Sequence, residues 1–268
     1  MDIASLSNIL RENGIVGAGG AGFPTYGKLS DKADTILMNC AECEPLLKLH
    51  RQLLKVHAHE ILKAFALLAE TVQAKEAIIG IKEEYESTIE ALEEYIGEFP
   101  MMRIHKLPGA YPMGDEVVLI YEATGRVVRP GGLPIESGVA VFNVETVYNI
   151  YQAVWEGKPV TEKYVSVVGE VAGPITVRVP IGMRIRDVVE MAGGITTKEP
   201  VYLLGGPMMG SFGKDYQPVT KTTNAIIVLP ADHTLVYRKT NRFKTAVARA
   251  ASSCCQCQTC TDLCPRFA

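Results

Sequence analysis

The chain has 268 residues, a net charge of −3 and a composition that is 47% hydrophobic and 21% charged. This composition is typical of globular proteins of one to three domains, and the lack of a basic excess argues against a nucleic-acid-binding protein. The N-terminus has neither the charged nor the apolar region of a secretory signal, and no apolar run of about 18 residues predicts a membrane span. We therefore expect a cytoplasmic protein that binds no nucleic acid.

The first part of the chain, to about residue 157, alternates short apolar runs with amphipathic segments. The apolar runs predict strands at Thr35–Asn39, 77–81, 101–107 and Val139–Asn143. Apolar side chains at three- and four-residue spacing predict the helices between them, at 45–72, at 83–96, after Met113 and after Asn143. This alternation predicts an α/β fold with a mostly parallel sheet.

Residues 158–240 predict a smaller α+β unit. Strand-like runs at 164–170 and 175–179 flank a turn, and a short helix over 185–192 ends at a pair of glycines. Two further strands are expected at 201–204 and 225–229. A hairpin, a helix and returning strands in this order are typical of a β-grasp fold. We therefore expect three parts, with boundaries at 1–157, 158–240 and 241–268.

The third part contains a run of five cysteines after an alanine-rich helical segment. Its C-x2-C-x2-C-x3-C-P spacing, typical of bacterial ferredoxins, is formed by Cys254, Cys257, Cys260 and Cys264. Four thiols so close together favour a [4Fe–4S] cluster over structural zinc, whose ligands usually come as two separate pairs. Cys255 is interpreted as a neighbour of the ligands.

The position of this run limits the cluster prediction. In two-cluster ferredoxins the fourth cysteine of this spacing binds the other cluster, which needs a second cysteine run. The sequence ends four residues after Cys264, following a proline expected to turn the chain away. We therefore expect a chain truncated within the iron–sulfur region and carrying no intact cluster.

Near the N-terminus, the string GAGGAGFPT at residues 17–25 satisfies G-x-G-x-x-G. It follows a helical pattern and not the strand that a dinucleotide-binding fingerprint requires. Glycines let backbone N–H groups approach a phosphate, and Lys28 adds positive charge. Taken alone, the string is equally compatible with a tight loop that binds nothing.

Four motifs in order resemble the FMN- and NADH-binding subunit of respiratory complex I. They are GAGGAGFPT (17–25), NCAECEP (39–45), YPMGDE (111–116) and NVET (143–146). The stretches RPGGLP (129–134) and GGPMMG (205–210), together with the cysteine run, resemble more closely the C subunits of Rnf complexes and their relatives, including cobalamin reductases of propanediol utilisation. The resemblance implies a complex I flavin-subunit-like domain, a β-grasp domain of the soluble ligand-binding type and the start of a helical ferredoxin-like domain.

The resemblance also implies roles for individual residues. The FMN phosphate and ribityl groups would contact Gly17, Gly19, Gly20 and Lys28. The rest of the flavin pocket would be lined by Asn39, Glu42, Tyr111, Gly114, Asp115 and Asn143. Phe23 would face the nicotinamide nucleotide, and Glu44 and Glu116 would be the catalytic residues on the side of hydride transfer. Carboxylates there would favour NADH over NADPH.

Taken as a whole, the resemblance implies an NADH-dependent electron-transfer flavoprotein. Electrons would pass from NADH through FMN to [4Fe–4S] clusters, two of them in the full-length protein, and on to an acceptor protein or a corrinoid. Its location would be the cytoplasm, the periphery of a membrane complex whose other subunits are partners, or a bacterial microcompartment.

Three positions depart from the complex I pattern and keep alternatives open. Ala18 replaces an arginine, Ala41 an acidic residue and Cys43 a small hydroxyl residue. Loss of a guanidinium beside a phosphate weakens anion binding. The alternatives are a non-catalytic docking module that carries iron–sulfur clusters, and a corrinoid-binding reductase component.

Two other features are interpreted as structural. Cys40 and Cys43 form a C-x-x-C pair, which we attribute to chance spacing and not to a redox dithiol. His50, His57 and His59 match no metal-binding pattern and are expected on the solvated surface.

Overall fold

The computed structural model describes residues 1–241 and 243–264 of the chain. The proline turn expected after Cys264 lies outside the described residues. Among the described residues, no helix is both long and apolar enough to cross a membrane.

The first domain is built on a four-stranded sheet whose strands are all parallel, in the order β3-β2-β1-β4. The strands are β1 (Thr35–Asn39), β2 (Glu76–Lys82), β3 (Met102–Leu107) and β4 (Val139–Asn143). Each begins and ends within one residue of its predicted bounds. The parallel α/β sheet is therefore confirmed.

Six helices cover the two faces of this sheet. They are α1 (Ile3–Glu12), α2 (Leu49–Val56), α3 (Ala58–Val72), α4 (Glu86–Ile96), α5 (Glu116–Thr124) and α6 (Val144–Glu156). Alternate residues of the strands point to opposite faces. Ile36 and Met38 pack with α1, α2, α3, α4 and α6, whereas Leu37 packs with α5 on the other face.

The single long helix predicted over 45–72 is wrong: the structure has two helices, and the first begins at Leu49. Leu46 has a left-handed backbone (φ +70°) and is exposed, so the chain cannot enter a helix there. At His57 the backbone leaves helical geometry (φ −126°, ψ 34°), and Val56 before it is 72% exposed. Apolar residues keep three- and four-residue spacing on both sides of His57, so hydrophobic periodicity alone does not reveal the break between the two helices.

The acidic helix also begins later than predicted, at Glu86. Residues 83–85 form a turn instead, in which the backbone N–H of Tyr85 donates to the carbonyl of Lys82. The Glu83 N–H donates to Leu107 at the end of β3, so this segment extends the sheet edge before the helix starts.

The second domain is a five-stranded sheet in the order β6-β5-β9-β7-β8. Its elements are β5 (Glu162–Gly169), β6 (Ile175–Pro180), α7 (Ile185–Glu190), β7 (Pro200–Leu204), β8 (Ser211–Gly213) and β9 (Ala225–Pro230). β5 and β9 are parallel, and the other pairs are antiparallel. The predicted order of hairpin, helix and returning strands is confirmed, whereas the three-residue β8 was not predicted.

The end of the described chain consists of α8 (Thr234–Thr240), α9 (Phe243–Ser253) and α10 (Thr259–Asp262). Neither α9 nor α10 has a buried residue. No cysteine of the run belongs to a hydrophobic core cluster of the described residues.

Candidate functional site

The candidate site lies at the carboxyl edge of the parallel sheet, between β1 and β4. The chain runs outward from β1 to β2 and β3 on one side, and β4 lies on the other, so this is the topological switch point where α/β sheets bind ligands. Asn39 and Asn143 end the two strands and are paired in register. Two amide side chains are thereby placed side by side at the edge.

The glycine-rich loop between α1 and β1 closes the site. The backbone N–H of Gly17 donates to the carbonyl of Phe23 (2.8 Å), and the N–H of Ala18 donates to Oγ1 of Thr146 (2.9 Å). A Cβ on Gly19 would lie 2.6 Å from Nδ2 of Asn143, whereas one on Gly20 would meet nothing within 4 Å. The absence of a side chain at Gly19 therefore allows the loop to approach the sheet edge.

The N-terminus of α6 faces the same space. Asn143 caps it, because its Oδ1 accepts from the backbone N–H groups of Glu145 (3.0 Å) and Thr146 (3.4 Å). Helix N-termini carry a partial positive charge that favours anions.

These elements enclose a cavity of about 280 Å³. Its lining residues are Gly17, Gly19, Gly20, Ala21, Gly22, Phe23, Thr25, Lys28, Asn39, Glu116, Val141, Phe142, Asn143 and Thr146. Lys28 donates to Oε1 of Glu116 (3.2 Å) and to the carbonyl of Val141 (2.8 Å). The cavity therefore contains one cation–carboxylate pair that an anionic ligand can reorganise.

The residues present fit FMN at this cavity. Thr25 belongs to the lining, and its buried hydroxyl has no hydrogen-bond partner, so a hydrogen bond from a ligand would break no contact within the protein. Lys28, which also belongs to the lining, supplies positive charge for a phosphate.

Of the residues predicted for the flavin and NADH site, eight meet at this cavity: Gly17, Gly19, Gly20, Phe23, Lys28, Asn39, Asn143 and Glu116. The structure places the other five, which are Glu42, Glu44, Tyr111, Gly114 and Asp115, outside the lining.

Glu42 is directed away from the cavity into the start of α2. Its carboxylate accepts from the backbone N–H groups of His50 (3.0 Å) and Arg51 (3.3 Å) and from the Arg51 guanidinium (3.3 Å), and only 4% of its side chain is exposed. The structure thus uses Glu42 as a helix cap.

The 111–115 loop lies beside the cavity. The carbonyl of Gly114 accepts from Asn39 Nδ2 (2.8 Å), and its N–H donates to Cys43 Sγ (2.9 Å). Asp115 caps α5 by accepting from Val117 (3.0 Å), and Tyr111 is exposed. These residues support the cavity wall without lining it.

Glu44 contacts the second domain. Its two carboxylate oxygens accept from the backbone N–H groups of Met208 (2.9 Å) and Met209 (2.7 Å), in the GGPMMG loop between β7 and β8. Lys239 of α8 donates to the carbonyls of Met208 (3.2 Å) and Gly210 (2.9 Å) in the same loop. Glu44 therefore joins the domains through a loop that also contacts α8.

A second set of contacts joins the domains behind the glycine loop. Lys163 of β5 pairs with Glu145 of α6 and donates to Oδ1 of Asn224 (2.7 Å). Burial lowers the pKa of Lys163, and the Glu145 carboxylate opposes that shift. The ammonium of Lys221 donates to the carbonyl of Gly14 at the start of the loop. The second domain thus contacts both α6 and the segment that leads into the glycine loop.

The four cysteines predicted as cluster ligands do not form a metal-binding group in the described part of the chain. Among residues 1–241 and 243–264, no three histidine, cysteine or acidic side chains are arranged to hold a metal ion. Cys254, Cys257 and Cys260 are exposed, and Cys264 is half-buried. Hydrogen bonds with Thr259 lower the pKa of the Cys257 thiol to about 7. This arrangement of the described cysteines does not fit a bound cluster.

Sequence reasoning missed three residues at the site. Thr25 and Thr146 lie within the quoted motifs but were given no role, although an asparagine three residues before Thr146 is a helix-start signal. His50, expected on the surface, has only 12% of its side chain exposed and contacts Asn143. Of the C-x-x-C pair, Cys40 is buried, which raises the pKa of its thiol, and Cys43 accepts from Gly114.

Comparisons with solved structures support the fold. A chain of an NAD⁺-reducing [NiFe]-hydrogenase, in its air-oxidised state, superposes with a TM-score of 0.71 at 24% identity and covers 87% of this chain and 47% of its own. At this identity the likeness concerns the fold alone.

Two curated relatives match almost the entire chain. Cobalamin reductase PduS of Citrobacter freundii is 45% identical over 99% of this chain. The C subunit of the Na⁺-translocating ferredoxin:NAD⁺ oxidoreductase complex of Acetobacterium woodii is 32% identical over 99% of this chain. The chain spans 58% of the length of each relative.

Two family models match separate parts of the chain, one within each of the two sheet-containing domains. The SLBB domain matches residues 164–212, within the second domain. The Nuo51 FMN-binding domain matches residues 10–152, which is more than half of the chain and contains the whole cavity. The chain therefore belongs to the Nuo51 FMN-binding domain family.

Proposed function

We propose that this chain binds FMN in the cavity at the switch point and oxidises NADH there, as the entry part of an electron-transfer flavoprotein. The observation that carries the proposal is the unpartnered, buried hydroxyl of Thr25 in a cavity that also holds Lys28 and the N-terminus of α6. Bound FMN supplies the chemistry, by accepting a hydride and passing its electrons on one at a time.

The residues of the chain would bind FMN and orient it and NADH. Lys28 and the α6 N-terminus attract the phosphate, and Thr25 provides a hydroxyl for the buried part of the ligand. Phe23 is half exposed at the mouth of the cavity, where an aromatic ring can stack on a nucleotide base. Glu116, 43% exposed, is the carboxylate near which NADH would lie.

Glu44 is assigned a different role from the catalytic one expected of it. Both of its oxygens already accept backbone hydrogen bonds in the second domain, so they are engaged before any ligand binds. We assign it to domain attachment, and Glu116 remains the proposed carboxylate on the hydride-transfer side.

The onward acceptor is proposed from the relatives' names. The relative with higher identity is called a cobalamin reductase and the other belongs to a ferredoxin:NAD⁺ oxidoreductase complex, so a corrinoid is favoured over a ferredoxin. Cys254, Cys257, Cys260 and Cys264 stay proposed cluster ligands of a longer protein, in which other subunits are partners.

The test is to purify the chain without oxygen, add FMN and titrate with NADH while following the visible absorbance of the flavin. Stoichiometric retention of FMN that bleaches with NADH, and less readily with NADPH, is the expected result. A folded chain that retains no FMN would overturn the proposal and favour a docking module. Adding a cob(III)alamin to the NADH-reduced protein then tests the acceptor through the absorbance of the corrin.

A further inference from the structure

His50 lies in the first turn of α2, behind the wall of the cavity, and does not line it. Its Nε2 lies 3.2 Å from Nδ2 of Asn143. Its other ring nitrogen, Nδ1, lies 3.9 Å from Oε1 of Glu42. The imidazole is thus placed between a buried carboxylate and an asparagine of the proposed flavin pocket.

The contacts of Asn143 determine which of its atoms faces His50. Its Oδ1 accepts from two backbone N–H groups at the start of α6, so a flipped amide would direct its NH₂ group at two donors. The amide nitrogen therefore faces His50 and donates. Nε2 of His50 must accept, which requires a neutral imidazole with its proton on Nδ1, toward Glu42.

The surroundings favour this neutral form. Burial lowers the pKa of His50, and the Lys163 ammonium acts in the same direction. The carboxylates of Glu42 and Glu145 oppose the shift. These groups belong to the loop before α2, to α6 and to β5, so the protonation of His50 depends on both domains.

We propose that His50 is a positioning residue: by accepting a hydrogen bond at Nε2, it holds Asn143 with its oxygen on the α6 N-terminus and its nitrogen toward the glycine loop. The inference rests on the proposed function, since Asn143 is assigned to the flavin pocket. The Asn143 amide lies against the glycine loop, where a side chain at position 19 would otherwise be. An amide released from His50 could leave this position, and the loop packed on it would then lose its support.

Three variants test this role through FMN affinity. His50→Leu removes the acceptor, His50→Gln keeps an oxygen that can accept from Asn143, and His59→Leu removes an exposed histidine of α3 as a control. We expect His50→Leu to weaken FMN binding by about five- to ten-fold, the worth of one lost hydrogen bond. His50→Gln and His59→Leu should stay within about two-fold of the wild type.

A second measurement uses the protein without flavin. The ¹⁵N chemical shifts of the His50 imidazole should show an unprotonated Nε2 in the wild type near neutral pH. Amide hydrogen exchange at Glu145 and Thr146 should be faster in His50→Leu than in His50→Gln. Both amides donate to Oδ1 of Asn143, and the leucine no longer holds that side chain in place.

Two results would overturn the positioning role of His50. A wild-type His50 that carries its proton on Nε2 would overturn the proposal even if the leucine variant fails to fold. A folded His50→Leu with unchanged FMN affinity and unchanged amide exchange would overturn it as well. If the wild type retains no FMN, the proposed function fails by itself, while tautomer and exchange still decide whether His50 orients Asn143.

Discussion

Lys163 of β5 and Glu145 of α6 form an ion pair in which each side chain is 1% exposed. The pair joins the second domain to the helix whose N-terminus faces the cavity. Each member of the pair makes a further hydrogen bond: Glu145 accepts from the backbone N–H of Tyr164 (3.3 Å), and Lys163 donates to Oδ1 of Asn224. Domain attachment and cavity geometry therefore depend on the same buried charges.

Replacing Lys163 by methionine should destabilise the chain by about 3–5 kcal/mol, because it leaves the Glu145 carboxylate buried and unpaired. Urea unfolding measures the change. The matched control is Arg178→Met, which removes the cation of a half-exposed pair with Glu162 and should cost less than about 1 kcal/mol. Equal losses of unfolding free energy in the two variants would contradict the stabilising role of the buried pair.

Replacing Gly19 by alanine should weaken FMN binding by more than about ten-fold, since the added Cβ would overlap the Asn143 amide at 2.6 Å and displace the loop. Gly20→Ala, one residue further on, has open space at its Cβ and should bind FMN as the wild type does. Fluorescence titration of FMN into each variant provides the comparison. Similar affinities for both would exclude contact between this loop and the flavin.

Replacing Thr25 by valine should leave the stability of the ligand-free chain unchanged or slightly higher, because its buried hydroxyl has no partner to lose. FMN affinity should nevertheless fall by about three- to ten-fold. Thr71→Val removes the other buried, unpartnered hydroxyl of the described residues, on α3 and outside the cavity, and should leave affinity unchanged. Thermal unfolding and FMN titration together separate the two effects.

Replacing Glu44 by glutamine should loosen the GGPMMG loop, since an NH₂ group would replace one of two oxygens that accept from Met208 and Met209. Charge-assisted hydrogen bonds are worth roughly 1.5–3 kcal/mol, so exchange of these two amides should accelerate by at least about ten-fold. Glu116→Gln, which does not contact the loop, serves as the control. Unchanged exchange in Glu44→Gln would leave the domain-attachment role without support.

Acid should destabilise the chain through His50. Because its pKa is lowered by folding, the unfolded chain binds the proton first, near pH 6.5, and stability falls as the pH drops from about 6.5 toward the folded pKa. Glu42 and Glu145 face the imidazole and limit the loss, whereas Lys163 increases it. His105 contributes in the same direction, because burial lowers its pKa too.

Unfolding measured at about pH 8, 7, 6 and 5 isolates the contribution of His50. The wild type should lose more stability below about pH 6.5 than His50→Leu does, since the variant has no proton to take up. If the free energy of unfolding falls equally with pH in both proteins, the acid sensitivity belongs to groups other than His50.

Much of the fold was predictable from local pattern. Short apolar runs bounded by turn residues identified β1, β2 and β4, because a buried strand needs apolar side chains on both faces. β3 was also predicted, although it lies at the sheet edge and carries the exposed Arg103 and Lys106. The glycine string by itself left a ligand loop and an empty tight loop equally open, and only the resemblance of the four ordered motifs assigned it and Lys28 to a flavin site. The predicted helix over 45–72 failed because periodicity does not register a left-handed residue such as Leu46 or a break such as His57.

The residue pattern of the sequence thus determined the class of fold and the order of most of its elements, and the resemblance of its motifs pointed to eight residues that line the cavity. Only the tertiary structure decided that Glu42 caps α2, that Glu44 holds a loop 164 residues away, and that His50 lies against Asn143. A carboxylate or an imidazole has similar local preferences whether it lines a pocket, caps a helix or contacts another domain. Its role depends on which donors the fold brings within about 3 Å, and those donors come from distant parts of the chain.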